Sequence, residues 1–316
     1  MPRPSLLITR RIPSSVLSRL EAACDVDLYT GETAIPRDEL LRRVGGKTAL
    51  MCLLTDAIDG ELLDAGRDLK IVANIAVGYN NIDVAAANAR GVIVTNTPDV
   101  LTESVADFTW ALILALTRRV SEGERIVRSG TWQGWALDFM LGTDVRGKQL
   151  GLIGMGRIAR AVAARAPAFG MRVAFADSGD FTVSGAERLS LDQLLTTSDL
   201  VSLHVPLLDE TRHLIDKRTL ARMKRSAYLI NTARGPVVDE AALAWALEQH
   251  LIAGAALDVY EHEPKVHPAL MSLENVLLVP HLGSATTETR TAMADLAAGN
   301  VLAVLAGQPA LTRVTA

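Results

Sequence analysis

The segment Gln149-Leu-Gly-Leu-Ile-Gly-Met-Gly-Arg-Ile-Ala159 decides the fold. It reads as a buried strand, a glycine turn and the start of a helix. Gly154 and Gly156 take the first two positions of G-x-G-x-x-G/A, with Ala159 third. Gly154 permits the tight turn. Gly156 has no Cβ to hold a pyrophosphate away from the backbone. Ala159 is small enough for the helix to lie close on its strand. The amides of Met155, Gly156, Arg157 and Ile158 would face the phosphates, helped by the helix dipole. The next strand, Arg172–Ala176, ends at Asp177, so the unit runs 29 residues (149 to 177), near the ~30 of a dinucleotide-binding βαβ unit. A carboxylate at Asp177 can accept both ribose hydroxyls and would repel a 2′-phosphate. Ser178, Gly179 and Asp180 follow, with no Arg or Lys among them. NAD is therefore the expected cofactor, with NADH preferred over NADPH.

The same grammar extends in both directions. Continuous apolar runs, as expected of strands buried on both faces, occur at Ser5–Thr9, Val26–Tyr29, Ala49–Leu54, Ile71–Ala76 and Val92–Thr95. A second series adds Leu200–Val205, Ala227–Ile230, Ala255–Val259 and Val276–Val279 to the two strands of the glycine unit. Helical patterns lie between them, among them Pro36–Val44, Val84–Arg90, Thr102–Thr117, Ile158–Phe169, Asp239–Glu248 and Thr287–Leu305. Alternating strands and helices predict α/β architecture with two doubly wound parallel-sheet domains. The last helix has no following strand in its own series, which suggests that the chain crosses back to the first domain. Residues 120–146 fit neither series; with Trp132, Trp135 and Phe139 among glycines, they read as a surface loop or as an arm docking on another subunit.

The chain has 316 residues, with 32 Lys plus Arg against 36 Asp plus Glu, a formal charge of −4. Its length suits about two domains of ~150 residues. The mild acidity argues against nucleic acid, which needs a concentrated basic face. No run approaches the ~20 apolar residues of a membrane span, and Met1 to Arg11 lacks the apolar core of a secretory signal. The two cysteines, Cys24 and Cys52, cannot build a disulfide framework or a metal site, so a reducing cytoplasm is expected. His262 to His267 reads H-E-x-x-x-H, one residue too long for a zincin, and Pro264 would break the helix such a site needs, so no metal is expected.

Three polar residues each follow a strand of the second series. Arg234 follows Ala227-Tyr-Leu-Ile-Asn-Thr-Ala233, Glu263 follows Ala255-Ala-Leu-Asp-Val-Tyr-Glu-His262, and His281 follows Val276-Leu-Leu-Val-Pro280. Ligands of open parallel sheets bind beyond the carboxyl ends of the strands, so the three can converge beside a nicotinamide. Arg can hold a carboxylate in its planar fork and polarise an adjacent ketone. His can deliver a proton as hydride arrives, and a neighbouring Glu stabilises the imidazolium. The chemistry expected is hydride transfer to a 2-oxo acid.

At these residues the chain resembles the D-isomer-specific 2-hydroxyacid dehydrogenases over nearly its whole length. The resemblance is carried by Val77-Gly78-Tyr79-Asn80-Asn81-Ile82-Asp83, the glycine loop, Asn231-Thr-Ala-Arg-Gly235, Asp258-Val-Tyr-Glu-His-Glu-Pro264 and Pro280-His-Leu-Gly-Ser284. Leu53-Leu-Thr-Asp-Ala-Ile-Asp59 and the stretch from Thr97 to Arg119 are most similar to the glyoxylate/hydroxypyruvate reductases. The resemblance implies a catalytic set of Arg234, Glu263 and His281. It implies that the amides of Val77 and Gly78 bind the substrate carboxylate, with Leu53 and Leu54 bordering the pocket. Asp258 would orient the nicotinamide carboxamide. Thr102, His204, Val205, Pro206, Thr211, Thr232, Ala233 and Gly283 would line the cofactor cleft. Residues 100–285 would form a Rossmann nucleotide-binding domain inserted into a flavodoxin-like substrate domain of 1–99 plus 286–316. The region 100–146 would make a homodimer, with Trp132 or Trp135 as a candidate to reach the partner's active site. One departure stands out: members of this subgroup often favour NADPH, with a basic or polar residue where Asp177 stands. The expected reaction is NADH-dependent reduction of glyoxylate or hydroxypyruvate. The alternatives are an NAD-sensing corepressor-like binding module, whose extra tails have no counterpart in the sequence, and a dehydrogenase for 3-phosphoglycerate or 2-ketogluconate.

Overall fold

The computed structural model describes residues 3–315, which fall into two compact units. One unit takes the chain up to Leu101 and again from Thr286; the other is Thr102–Ala285.

The first unit holds five strands, β1 (Ser5–Ile8), β2 (Asp25–Leu28), β3 (Ala49–Cys52), β4 (Ile71–Asn74) and β5 (Ile93–Thr95). All pair in parallel, in the order β2-β1-β3-β4-β5. This is the flavodoxin-like doubly wound order, whose crevice opens where the winding reverses, between β1 and β3. Alternate residues serve opposite faces. Leu7, Leu50, Val72 and Val94 pack with Leu40, Leu62 and Ala87 of the helices on one side. Leu6, Ile8, Met51 and Ala73 pack on the other with Val16, Leu20, Ala294, Ala298 and Val301. The last three residues belong to the helix Thr287–Leu305, so this helix completes the sheet begun at Ser5. Its N-terminus is capped locally: the Thr286 hydroxyl accepts the amide of Thr289 at 3.1 Å. Beyond the helix, Val314 donates its amide to the Val94 carbonyl at 2.8 Å, and Arg313 pairs antiparallel with Thr95.

The second unit holds β6 (Gln149–Ile153), β7 (Arg172–Ala176), β8 (Ala186–Arg188), β9 (Leu200–Leu203), β10 (Tyr228–Asn231), β11 (Gly254–Leu257) and β12 (Val276–Leu278). The sheet is parallel throughout, in the order β12-β11-β10-β9-β6-β7-β8. Its winding reverses between β9 and β6, and that switch point is where a Rossmann sheet takes a dinucleotide. Val201, Leu203, Leu229 and Leu257 face one helical layer, while Leu150, Leu152, Phe175 and Ile230 face the other. In the second layer Trp110 stacks on Phe169 at 4.3 Å and donates its indole N–H to the Val162 carbonyl at 3.0 Å.

Three local readings are corrected. The helix expected over Ile158–Phe169 is α-helical only for Arg157–Arg165, then tightens to a 3-10 turn over Ala166–Phe169. Pro167 lies in that turn and has no N–H to continue the α ladder. The short strand β8 is additional to the expected series, because three residues of mixed polarity carry no period. Residues 120–146 are not wholly irregular: a helix spans Val120–Arg128, and regular structure then stops until Gln149. Trp135 and Leu137 in that stretch are each 82% exposed.

Candidate active site

The glycine loop leaves β6 in a conformation that only glycine takes readily. Gly154 has φ +86, and a Cβ there would stand 2.7 Å from the His204 carbonyl oxygen. Gly156 is the N-cap of the helix Arg157–Arg165 and has no side chain of its own to cap it. A Cβ on Gly156 would point into open space, with nothing within 4 Å. A helix start preceded by glycines and facing open space fits a pyrophosphate. The Met155 amide is a correction: it donates to Asp177 Oδ2 at 2.7 Å rather than facing that cradle. Asp177 Oδ1 accepts the Gly179 amide at 2.8 Å, so the carboxylate braces both the loop and its own turn.

A groove lined by Ile153, Asp177, Arg188, Val205 and Thr211 runs beside these strand ends. Arg188 is a residue that local reading missed. From β8 it bonds the Gly179 carbonyl at 2.6 Å and pairs with Asp180. A cation therefore stands at the turn after Asp177, although residues 178–180 hold none. On the other flank, Thr211 Oγ1 bonds the Pro206 carbonyl at 2.6 Å and fixes the loop after β9. His204 shares a hydrogen bond with Ser202 at 2.9 Å. Burial pushes the His204 imidazole down to about 4, so it is neutral at working pH and unsuited to acid catalysis.

Arg234, Glu263 and His281 stand beyond β10, β11 and β12, at the same carboxyl edge of the sheet as the glycine loop. Asn231 makes the turn to Arg234. Its side chain accepts the Ala233 amide at 3.0 Å and donates to the Arg234 carbonyl at 2.9 Å. Gly235 then lets this turn lie directly on the next strand's loop: a Cβ there would fall 1.8 Å from the Tyr260 carbonyl. Burial lowers the Arg234 guanidinium, and the Glu263 charge works against that shift. Thr232 meets Thr109 of the helix Thr102–Thr117 at 3.1 Å between their hydroxyls.

Glu263 Oε2 lies 2.9 Å from His281 Nδ1, and its Oε1 accepts the Tyr260 amide at 3.1 Å. Burial acts to raise the Glu263 carboxyl, but the His281 bond and charge, the Tyr260 amide and Arg234 outweigh it. The net shift is downward. Glu263 thus stabilises the fold above the ordinary carboxyl range, and that contribution is lost as pH falls through its lowered value. His281 itself has φ +53, a left-handed conformation uncommon for histidine. Asp258 holds that turn, accepting the amides of Leu282 at 2.6 Å and Gly283 at 2.9 Å. Burial raises the Asp258 carboxyl while those two amides pull it down. Both of its oxygens therefore already serve the His281 turn, a role beyond the carboxamide contact implied by resemblance. Glu240 and Glu261 are further residues that local reading missed: each accepts the other's backbone amide, at 2.7 and 3.0 Å, and this clasp secures the loop bearing Glu263.

In the first unit, Leu53 and Leu54 follow β3 and the Val77–Gly78 loop follows β4. Asp56 accepts the Leu53 amide at 2.8 Å and the Thr9 hydroxyl at 2.6 Å. Asn81 joins the two loops by donating to the carbonyls of Leu53 and Asp56 at 3.1 and 3.0 Å. Among the described residues no cluster of His, Cys, Asp and Glu could hold a metal ion.

The profile of the D-isomer specific 2-hydroxyacid dehydrogenase NAD binding domain matches residues 110–283. A glyoxylate reductase of Thermofilum pendens is 48% identical, with 98% of this chain and 95% of the relative aligned. A protein of Thermus thermophilus superposes with a TM-score of 0.94 at 45% identity, covering 98% of this chain and all of that one (100%). An NADPH-dependent glyoxylate/hydroxypyruvate reductase of Sinorhizobium meliloti, solved with NADP and malonate, has a TM-score of 0.87 at 36% identity, over 99% and 97% of the two chains.

Proposed function

The chain belongs to the D-isomer specific 2-hydroxyacid dehydrogenases, and from that membership we propose that it reduces glyoxylate or hydroxypyruvate to the 2-hydroxy acid with a nicotinamide cofactor. The observation that carries the proposal is the His281–Glu263 contact of 2.9 Å beside a partly buried Arg234, at the edge of the sheet that bears the glycine loop. Bound cofactor supplies the hydride. Glu263 engages Nδ1 of His281, which leaves Nε2 to give its proton to the carbonyl oxygen as that oxygen gains electrons. Arg234 pairs with the substrate carboxylate and draws charge from the adjacent carbonyl. The Val77 and Gly78 amides are assigned to the same carboxylate. The glycine loop holds the pyrophosphate; Thr102, His204, Val205, Pro206, Thr211, Thr232, Ala233, Asp258 and Gly283 line the rest of the cofactor cleft.

NADH is the preferred cofactor in this reading, because the carboxylate of Asp177, just beyond β7, would repel a 2′-phosphate. Arg188 limits that preference by supplying a cation to the same turn. Steady-state kinetics on glyoxylate, hydroxypyruvate and bulkier 2-oxo acids with both cofactors test the proposal. The smaller acids and NADH should give the highest kcat/KM. Asp177→Ser should shift the NADPH/NADH ratio at least about tenfold toward NADPH, the size of a charge-assisted contact, and adding Arg188→Ala should reverse much of that gain. Equal or better turnover of the unaltered protein with NADPH would remove the cofactor assignment. Absence of turnover with every 2-oxo acid, alongside tight NADH binding, would favour a sensor instead.

The exposed Trp135, Leu137 and Leu141 form an apolar arm whose counterpart is a second copy of the chain. Sedimentation should give twice the 33.8 kDa chain mass, and Trp135→Ser with Leu137→Ser should yield monomers. A monomeric unaltered protein would contradict this. No helix of the described residues is long and apolar enough to cross a membrane, and the unbridged, buried Cys24 and Cys52 suit a cytoplasmic setting.

A further inference from the structure

Three consecutive carbonyls of the loop after β4 are each held by a donor at the end of β4 or β5. Ala76 accepts the Thr97 amide at 2.9 Å. Val77 accepts Nδ2 of Asn96 at 2.8 Å. Gly78 accepts Nδ2 of Asn74 at 2.9 Å. In a planar trans peptide, the carbonyl of one residue and the N–H of the next point in opposite directions. Fixing these three carbonyls therefore turns the amides of Val77, Gly78 and Tyr79 away from the donors that hold them. None of those three amides bonds to any other described residue. Successive backbone N–H groups facing one way form a concavity that binds anions.

The two asparagines are themselves held in place. Asn74 is fully buried at the end of β4, and its amide nitrogen also reaches Asn81 Oδ1 at 3.4 Å. Asn96 is secured through its backbone: its carbonyl accepts the Thr312 hydroxyl at 2.6 Å. Thr312 in turn bonds Asn300, a fully buried residue of the helix Thr287–Leu305, at 2.8 and 3.0 Å. An asparagine side chain can donate to a carbonyl at this point, whereas an aspartate would repel it.

We infer that Asn74 and Asn96 are positioning residues that aim three amides, of Val77, Gly78 and also Tyr79, at the carboxylate of the 2-oxo acid. The inference rests on the reductase reading above and adds the third donor and the two side chains that set the aim. It touches substrate affinity rather than proton or hydride transfer.

Asn96→Asp keeps the size of the side chain and replaces its donor with an acceptor facing the Val77 carbonyl. Its KM for glyoxylate and its Ki for oxamate, a non-reducible carboxylate, should both rise at least about tenfold, the worth of a charge-assisted hydrogen bond. Its kcat should change far less, and its Kd for NADH should stay put. Asn74→Ser should behave alike; where that buried variant fails to fold, Asn96→Asp alone decides. Unmoved KM and Ki in a folded Asn96→Asp protein would overturn the inference and leave the reductase reading intact. So would a fall in kcat and in NADH affinity matching the rise in KM, since that reports general damage to the fold. An unaltered protein that turns over no 2-oxo acid would take down both.

Discussion

Asparagine in place of His281 should lower kcat for 2-oxo acid reduction by about 10²–10⁴-fold, the usual contribution of a positioned general acid. NADH should bind as before, because the glycine loop and Asp177 are untouched. The reason lies in the ring's two nitrogens. Nδ1 is engaged by Glu263 at 2.9 Å, so the proton given to substrate must leave from Nε2, and asparagine has no titrating group to replace it. Glu263→Gln gives the complementary result. The carboxyl of Glu263 is held below its ordinary range, so it is an anion throughout the working pH. Glutamine can still accept the Nδ1 proton through its carbonyl, but it no longer stabilises a positive imidazolium. The proton needed for reduction is then lost at lower pH, and the alkaline limb of the kcat/KM profile moves to lower pH. A pH series on both variants checks this. A profile unmoved in Glu263→Gln would strip Glu263 of its electrostatic role.

Gly235→Ala is expected to damage both stability and activity. Its Cβ would fall 1.8 Å from the carbonyl carbon and oxygen of Tyr260 and 2.5 Å from the Glu261 nitrogen. All three are backbone atoms, so no side chain can rotate out of the way. The turn carrying Arg234 must separate from the loop carrying Glu263. Overpacking of this kind costs about 1–3 kcal/mol or more. A misplacement near 1 Å at reacting groups costs about 10²-fold in rate. Denaturant unfolding should show the lower midpoint, and kinetics on the remaining folded protein should show kcat/KM down by about that factor. A folded variant with ordinary kcat/KM would show that the Arg234–Glu263 spacing is not critical.

Much of the architecture is legible in the sequence because the central strands of both sheets are buried on both faces. Ala49–Cys52 and Ile71–Asn74 are strands without an exposed residue; the first reads as an unbroken apolar run, and the second is apolar up to Asn74. Arg234, Glu263 and His281 are legible because each stands just beyond such a run. The residues that escape local reading work through side chain to backbone bonds, many with partners far away in the chain. Asn96 serves Val77, Asn231 serves its own turn, and Glu240 serves Glu261 across 21 positions. No local period marks them. Arg188 is hidden for a related reason: its strand is three residues long, and only the pairing of β8 with β7 brings it beside Asp180. Met155 departs from expectation because a free-looking loop amide has its partner on the next strand's end.

The helix Thr287–Leu305 also sets an order of events at the ribosome. It is made only after the whole of Thr102–Ala285 has been synthesised. Until then the face of the first sheet bearing Leu6, Ile8, Met51 and Ala73 has no helix at Ala294, Ala298 and Val301 to cover it, and Val94 lacks Val314. The inserted unit is contiguous and waits for nothing downstream. The part of the enzyme that is translated first is thus the part that is finished last, and until then this apolar face is only partly covered, open to chaperones and to aggregation.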